Sequence, residues 1–261
     1  MDVLLYGIVG ILGLIYGSFL NVVIYRLEHG GSIVWDRSRC PHCSHTLEWQ
    51  DLVPVISFLV LRGKCRFCSS PISMQYPLVE GTMALIAILI AQQVGIISLL
   101  SPVAIALFFA LFLLFGILFA IFILDLKYFI IPDSLLIAGI IPTIAFLSLG
   151  RISSVFPHLA SGLGASLFFW AIWKVSQGKW MGFGDVKLVF LLGLLLGWPL
   201  IAVSLFLSFF SGAVVGVSLM ALGKKSLASE VPFAPFLIGS AFVSFFWGGH
   251  LLNWYLTLVL V

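Results

Sequence analysis

Charge is what this sequence has least of. Asp, Glu, Lys and Arg together make up 9% of its 261 residues, against roughly 25% in an average globular domain. Apolar residues make up 62% and the mean hydropathy is +1.21. A soluble core of this size cannot hide that much hydrocarbon, so a soluble domain is excluded. Also missing is any cluster of basic residues; the net charge of +3 comes from cations scattered beside apolar runs, which excludes a nucleic-acid partner. There is no His-Glu-x-x-His helix for a membrane zinc protease and no nucleotide-binding glycine loop. Long polar stretches are absent with one exception, and all four cysteines fall within it.

What is present in quantity is spanning sequence. A transmembrane helix needs about 20 predominantly apolar residues. Val3–Tyr25 supplies the first and, without a basic leader or a small-residue cleavage site, reads as a retained helix. Seven more are expected near 78–98, 102–124, 132–150, 155–173, 186–198, 199–222 and 233–258. The sixth and seventh share one uncharged stretch, divided at Gly197-Trp198-Pro199, where proline ends one helix and starts the next. Gly248-Gly249 leaves the continuity of the last span open. The expected fold is an all-α polytopic protein of about eight membrane helices, in contact with lipid over much of its surface. No internal repeat is evident.

Placing residues 26–77 in the cytoplasm puts every basic residue except Arg151 on that side once the eight spans alternate. This is the positive-inside pattern. The expected division is a first helix (1–25), a cytoplasmic cysteine module (26–77) and a membrane-embedded core (78–261).

The module is too short to build a core of its own and needs a metal or cross-links. Cys40-Pro41-His42-Cys43 and Cys65-Arg66-Phe67-Cys68 are two C-x2-C knuckles separated by 21 residues. That pattern predicts a four-thiolate zinc site, closed and therefore structural. Two disulfides are the competing arrangement, disfavoured where thiols are kept reduced. With four cysteines available, His29, His42 and His45 are expected at the surface.

Carboxylates beside spans are informative because there are so few. Asp125 closes the apolar run Pro102–Leu124, and Asp185 stands in Gly182-Phe183-Gly184-Asp185-Val186-Lys187 at the head of another span. A single aspartate at a helix end can simply be solvated or paired with a neighbouring lysine. Two on the same face of the bilayer, from separate helices, can share one proton, so that one activates water while the other polarises a peptide carbonyl. Gly182 and Gly184 would let an extended peptide approach Asp185, with Lys127 and Lys187 facing it from the flanking turns. Asp133, after Pro132, reads as a cap or first-turn carboxylate of the fourth span. For Glu80 a helix-dipole role is the plain alternative to a binding role.

The ordered set of motifs resembles one family, the type IV prepilin peptidases, bacterial inner-membrane aspartic proteases of the Gly-x-Gly-Asp type. The resemblance runs through Gly17-Ser18-Phe19-Leu20-Asn21, the two knuckles, Pro54-Val55-Ile56-Ser57-Phe58, Leu61-Arg62-Gly63-Lys64-Cys65, Tyr76-Pro77-Leu78-Val79-Glu80, Asp125, Pro132-Asp133 and Gly182–Lys187. Glu28 and Gln75 replace a frequent proline and arginine, away from the catalytic pattern. The resemblance implies that Asp125 and Asp185 are the catalytic dyad. It implies that prepilins or pseudopilins, of a pilus or a type II secretion system, lose a basic leader at the cytoplasmic edge of their helix. It further implies N-methylation of the new terminus with S-adenosylmethionine, for which Glu80 is the candidate donor-binding residue. A peptidase without methyltransferase activity is the nearest alternative. A proton-coupled transporter is the alternative of another class, and would place its carboxylates near mid-bilayer.

Overall fold

The computed structural model describes residues 2–95, 101–150, 155–222 and 231–259. Among them there is no strand, only two isolated bridges, and nine helices: α1 (Asp2–His29), α2 (Ile56–Val60), α3 (Gln75–Val94), α4 (Pro102–Tyr128), α5 (Asp133–Leu149), α6 (Phe156–Ser176), α7 (Phe183–Leu196), α8 (Leu200–Ala221) and α9 (Ala234–Val259). Apart from the short α2, these lie where the eight spans are expected. Six of them (α1, α3, α4, α6, α8 and α9) are long and apolar enough to cross a bilayer. Arg151, Lys224 and Lys225, which entered the orientation argument, lie outside the described residues.

The helix ends follow local chemistry. Pro132, in extended backbone, precedes α5. Gly197, at a positive φ of 66°, ends α7, and Pro199 opens α8. α9 runs unbroken through Gly248 and Gly249, settling the question those glycines raised: the Leu200 side chain occupies the space beside Gly248 that a Cβ would take.

The chain forms two compact units, residues 1–116 and 117–261, with the boundary inside α4. In the first, α1 packs on α3 so closely that a Cβ on Gly13 would stand 2.5 Å from the Ala84 Cα, and one on Gly17 2.6 Å from the Glu80 Cα. Two small residues one turn apart are what lets membrane helices meet backbone to backbone. The Tyr16 hydroxyl on the same helix donates to the Leu113 carbonyl at 3.2 Å.

In the second unit α7 is central, packing against α5, α6, α8 and α9. Its 14 residues extend only about 21 Å at ~1.5 Å per residue, short of a ~30 Å hydrocarbon core. Protein covers it instead of lipid: Leu188–Leu196 are buried apart from the half-buried Phe190. Several buried hydroxyls find partners within the protein, although the Ser244 hydroxyl on α9 has none. Ser204 and Ser240 meet at 3.2 Å between α8 and α9, and Thr143 donates to the Gly139 carbonyl at 2.7 Å.

The α6–α7 contact depends on Gly162 and Gly193, where a Cβ on Gly193 would lie 2.5 Å from the Gly162 Cα. Gly193→Val should force the two backbones apart, costing about 1–3 kcal/mol and lowering the unfolding temperature in detergent. Gly164→Val, on the open side of α6 with nothing within 4 Å, should leave it unchanged.

Candidate functional site

Two groupings of chemically capable side chains emerge, one in each unit. In the first, the two C-x2-C knuckles are built alike in their backbone hydrogen bonds. The Cys40 amide donates to His45 O and Ser44 N to Cys40 O; correspondingly, Cys65 N donates to Ser70 O and Ser69 N to Cys65 O. Ser44 and Ser69 both take positive φ, 58° and 57°. Each turn thus presents its two thiols to the same point. The four cysteines are free, and their Sγ atoms all lie within 4.8 Å of one another, with Cys40 and Cys68 at 3.9 Å. Tetrahedral thiolates at ~2.3 Å from one ion stand about 3.8 Å apart, so the cluster fits a single metal ion. Burial pushes the Cys40 thiol up, but hydrogen bonds from the Cys43 and His42 amides and from neighbouring thiols outweigh it and bring it down to about 6. Hydrogen bonds from Ser70 likewise lower Cys68. Thiolate is the form that binds metal. His29, His42 and His45 are exposed, as expected, the last stacked on Phe67.

Between the knuckles and the ends of α1 and α3 is a cavity of about 270 Å³, whose lining includes Ser18, Phe58, Tyr76 and Glu80. Glu80 is buried in the second turn of α3, too far along for a dipole role. Its carboxylate accepts the Val55 amide at 2.7 Å. Asn21 donates to Tyr76 O, and in the cavity lining Arg66 pairs at 2.8 Å with Asp51, whose side chain is buried. Phe58 and Tyr76 stood in the family motifs without an assigned role, and Asp51 went unnoticed, because the sequence does not show that the three line one cavity with Glu80.

In the second unit Asp125 and Asp185 are both 6% exposed, and the Asp125 carboxylate is close enough for its charge to act on Asp185. Asp125 occupies the last turn of α4, and its Oδ2 accepts the Ala234 amide at 3.1 Å. Asp185 lies in the first turn of α7 and its Oδ2 accepts the Gly182 amide at 3.2 Å, while its buried Oδ1 has no hydrogen-bond partner. Gly182 is the extended residue before α7, and a Cβ there would come no closer than 3.8 Å to Asp185 Oδ2 and 3.9 Å to the Gly184 amide nitrogen, ordinary contact. Gly184 is different: a Cβ there would stand 3.0 Å from the Ile131 Cβ, so its missing side chain is taken up by the loop before α5.

Lys187 forms a two-pronged ion pair with Asp133, at 2.7 and 2.8 Å, and stands over the Phe183 ring. Asp133 is in the first turn of α5, as expected, but the residue before the helix is Pro132 and no side-chain cap forms. Its carboxylate reaches α7 instead. Lys127 is exposed in the last turn of α4.

A polytopic helical protein with two buried carboxylates at helix ends defines a class: a membrane protein with groups able to perform acid–base chemistry. The comparisons narrow it. The profile of the Bacterial Peptidase A24 N-terminal domain matches residues 11–94, and that of the Type IV leader peptidase family matches 112–217. The chain is 33% identical to a prepilin leader peptidase/N-methyltransferase of Aeromonas hydrophila over 97% of its own length and 94% of the relative's. The same figures hold for a relative of that name from Legionella pneumophila. One from Myxococcus xanthus is 38% identical over 84% of this chain and 65% of its own. No solved structure matches. The chain belongs to the type IV leader peptidase family.

The Asp133–Lys187 pair is solvent-facing, with side chains 63% and 41% exposed, so it should stabilise by no more than about 1 kcal/mol. Asp133→Asn and Lys187→Met should each lower thermal stability in detergent slightly. The exchange Asp133→Lys with Lys187→Asp should recover most of the loss, a coupling readable in a double-mutant cycle.

Proposed function

We propose that the protein is a multi-pass aspartic endopeptidase of the bacterial inner membrane that removes the leader of prepilins or pseudopilins, and that it N-methylates the terminus it exposes. The observation that carries the peptidase reading is the pair of buried carboxylates on α4 and α7, Asp125 and Asp185, within electrostatic reach of each other. Two such groups at close range share one proton. The charged member takes a proton from water, whose oxygen attacks the scissile carbonyl. The protonated member hydrogen-bonds the carbonyl oxygen, and proton return to the leaving nitrogen releases the leader. Gly182, which has no side chain and adjoins Asp185 Oδ2, is the natural approach for an extended substrate beside Asp185. With both carboxylates on the cytoplasmic face, the scissile bond of a helix whose leader stays inside arrives at their depth.

Zinc is the ion we assign to Cys40, Cys43, Cys65 and Cys68: four thiolates at tetrahedral spacing leave no open position, which makes the site structural. Methyl transfer we assign to the cavity beside it. S-adenosylmethionine supplies an electrophilic methyl group when bound. Phe58 and Tyr76 offer ring faces for its adenine, and the Glu80 carboxylate can counter the sulfonium charge or take the proton that the substrate ammonium must lose. The two activities therefore rest on different units of the chain.

Purified protein should cleave a prepilin leader, and Asp125→Ala or Asp185→Ala should reduce turnover at least ~1,000-fold while leaving thermal stability intact. Near-normal cleavage by either variant would overturn the dyad. Glu80→Gln should retain cleavage yet fail to methylate a pre-cleaved peptide, followed by mass spectrometry with labelled S-adenosylmethionine. Metal analysis should give about one zinc per chain, lost when both cysteines of either knuckle become serine or when acid protonates the thiolates. Residues 30–73 should then become protease-sensitive.

A further inference from the structure

The two carboxylates are not held alike. Asp185 is bound within its own first turn, through Gly182 N, with its other oxygen unpartnered. Asp125 is held by a segment 109 residues away, the N-terminus of α9. That terminus is arranged to leave one amide pointing outward. In the first turn Pro235 carries no N–H, and the amides of Phe236 and Leu237 both bond to the Phe233 carbonyl, at 3.0 and 3.2 Å. The remaining N–H, that of the fully buried Ala234, donates to Asp125 Oδ2. It is the positive end of a 26-residue helix aimed at a carboxylate away from water.

We infer that the backbone amide of Ala234 is a positioning group for the reaction, holding Asp125 as the charged, water-activating member of the pair and leaving the proton to Asp185. This rests on the peptidase reading. A buried carboxylate oxygen without a donor is costly when charged and satisfied when it bears a proton that it can give to a substrate carbonyl. Asp185 Oδ1 is such an atom. Each aspartate accepts one helix-terminal amide, but Asp125 has no oxygen that is buried without a donor. The group acts through Asp125 and does not touch substrate, so the side chain at 234 carries none of the effect. Only its N–H matters.

Helix geometry supplies a clean test. Ala234 is the first residue of α9, a position where proline is normally well tolerated because the amide it lacks has no partner within the helix. Ala234→Pro removes the donor; Ala234→Val adds similar bulk and keeps it. The sharper variant replaces Ala234 with lactic acid by nonsense suppression, exchanging N–H for an ester oxygen without added volume. Cleavage of a prepilin is measured for each, together with thermal stability in detergent and methylation of a pre-cleaved peptide. The expected result is that the proline and ester variants lose about 10- to 100-fold in kcat, the range for one charge-assisted hydrogen bond. KM, unfolding temperature and methylation should hold, and Ala234→Val should stay within threefold of wild type. An ester variant with wild-type kcat overturns the inference, as does a loss in which Ala234→Val shares equally or in which stability and methylation fall alongside cleavage. Wild-type protein that cleaves nothing, or Asp125→Ala that cleaves normally, would instead sink the peptidase reading itself.

Discussion

Two carboxylates buried in a protein whose surface is largely hydrocarbon are the constraint on which the second unit depends. A charge or an unpartnered polar atom in such surroundings costs several kcal/mol, so each aspartate must find a donor, carry a proton or move to water. The fold places Asp125 and Asp185 at helix ends, where backbone amides are available. Central α7, too short to cross a bilayer alone, carries Asp185 in its first turn and packs against four other helices. The close Gly162–Gly193 approach keeps it in place.

The first unit solves a different problem. About 50 polar residues between α1 and α3 have too little apolar surface to fold alone, and four thiols gathered at one point take the place of a core. The same gathering shapes a cavity roofed by the knuckles and floored by Glu80, Tyr76 and Ser18. The cysteine cluster thus contributes to the walls of the cavity, with Cys40 and Cys65 in its lining.

The main outline was legible in the sequence because it rests on local signals. Span positions follow from hydropathy, the break between α7 and α8 from Gly197 and Pro199, and the thiol cluster from two C-x2-C turns. The aspartates stood out because charged residues are so rare. Other details were hidden for one shared reason: they are contacts between residues far apart in the chain. Asp133, read as a cap or first-turn carboxylate, does lie in the first turn of α5, but its carboxylate pairs with Lys187 on α7. Gly184 looked open to substrate and instead accommodates Ile131. Glu80 looked like a helix-dipole residue and instead accepts the Val55 amide.

Composition and pattern by themselves determined that this chain is helical and membrane-spanning, that its cysteines form one cluster and that its aspartates lie at span ends. Hydrophobicity and turn chemistry act within a few residues and can be read along the chain. Which amide holds Asp125, which atom of Asp185 stays free and what encloses Glu80 were decided only by tertiary structure. The Ala234 donor shows why: a backbone N–H is the same group in every non-proline residue, so its direction depends on where α9 begins and on what packs against that end.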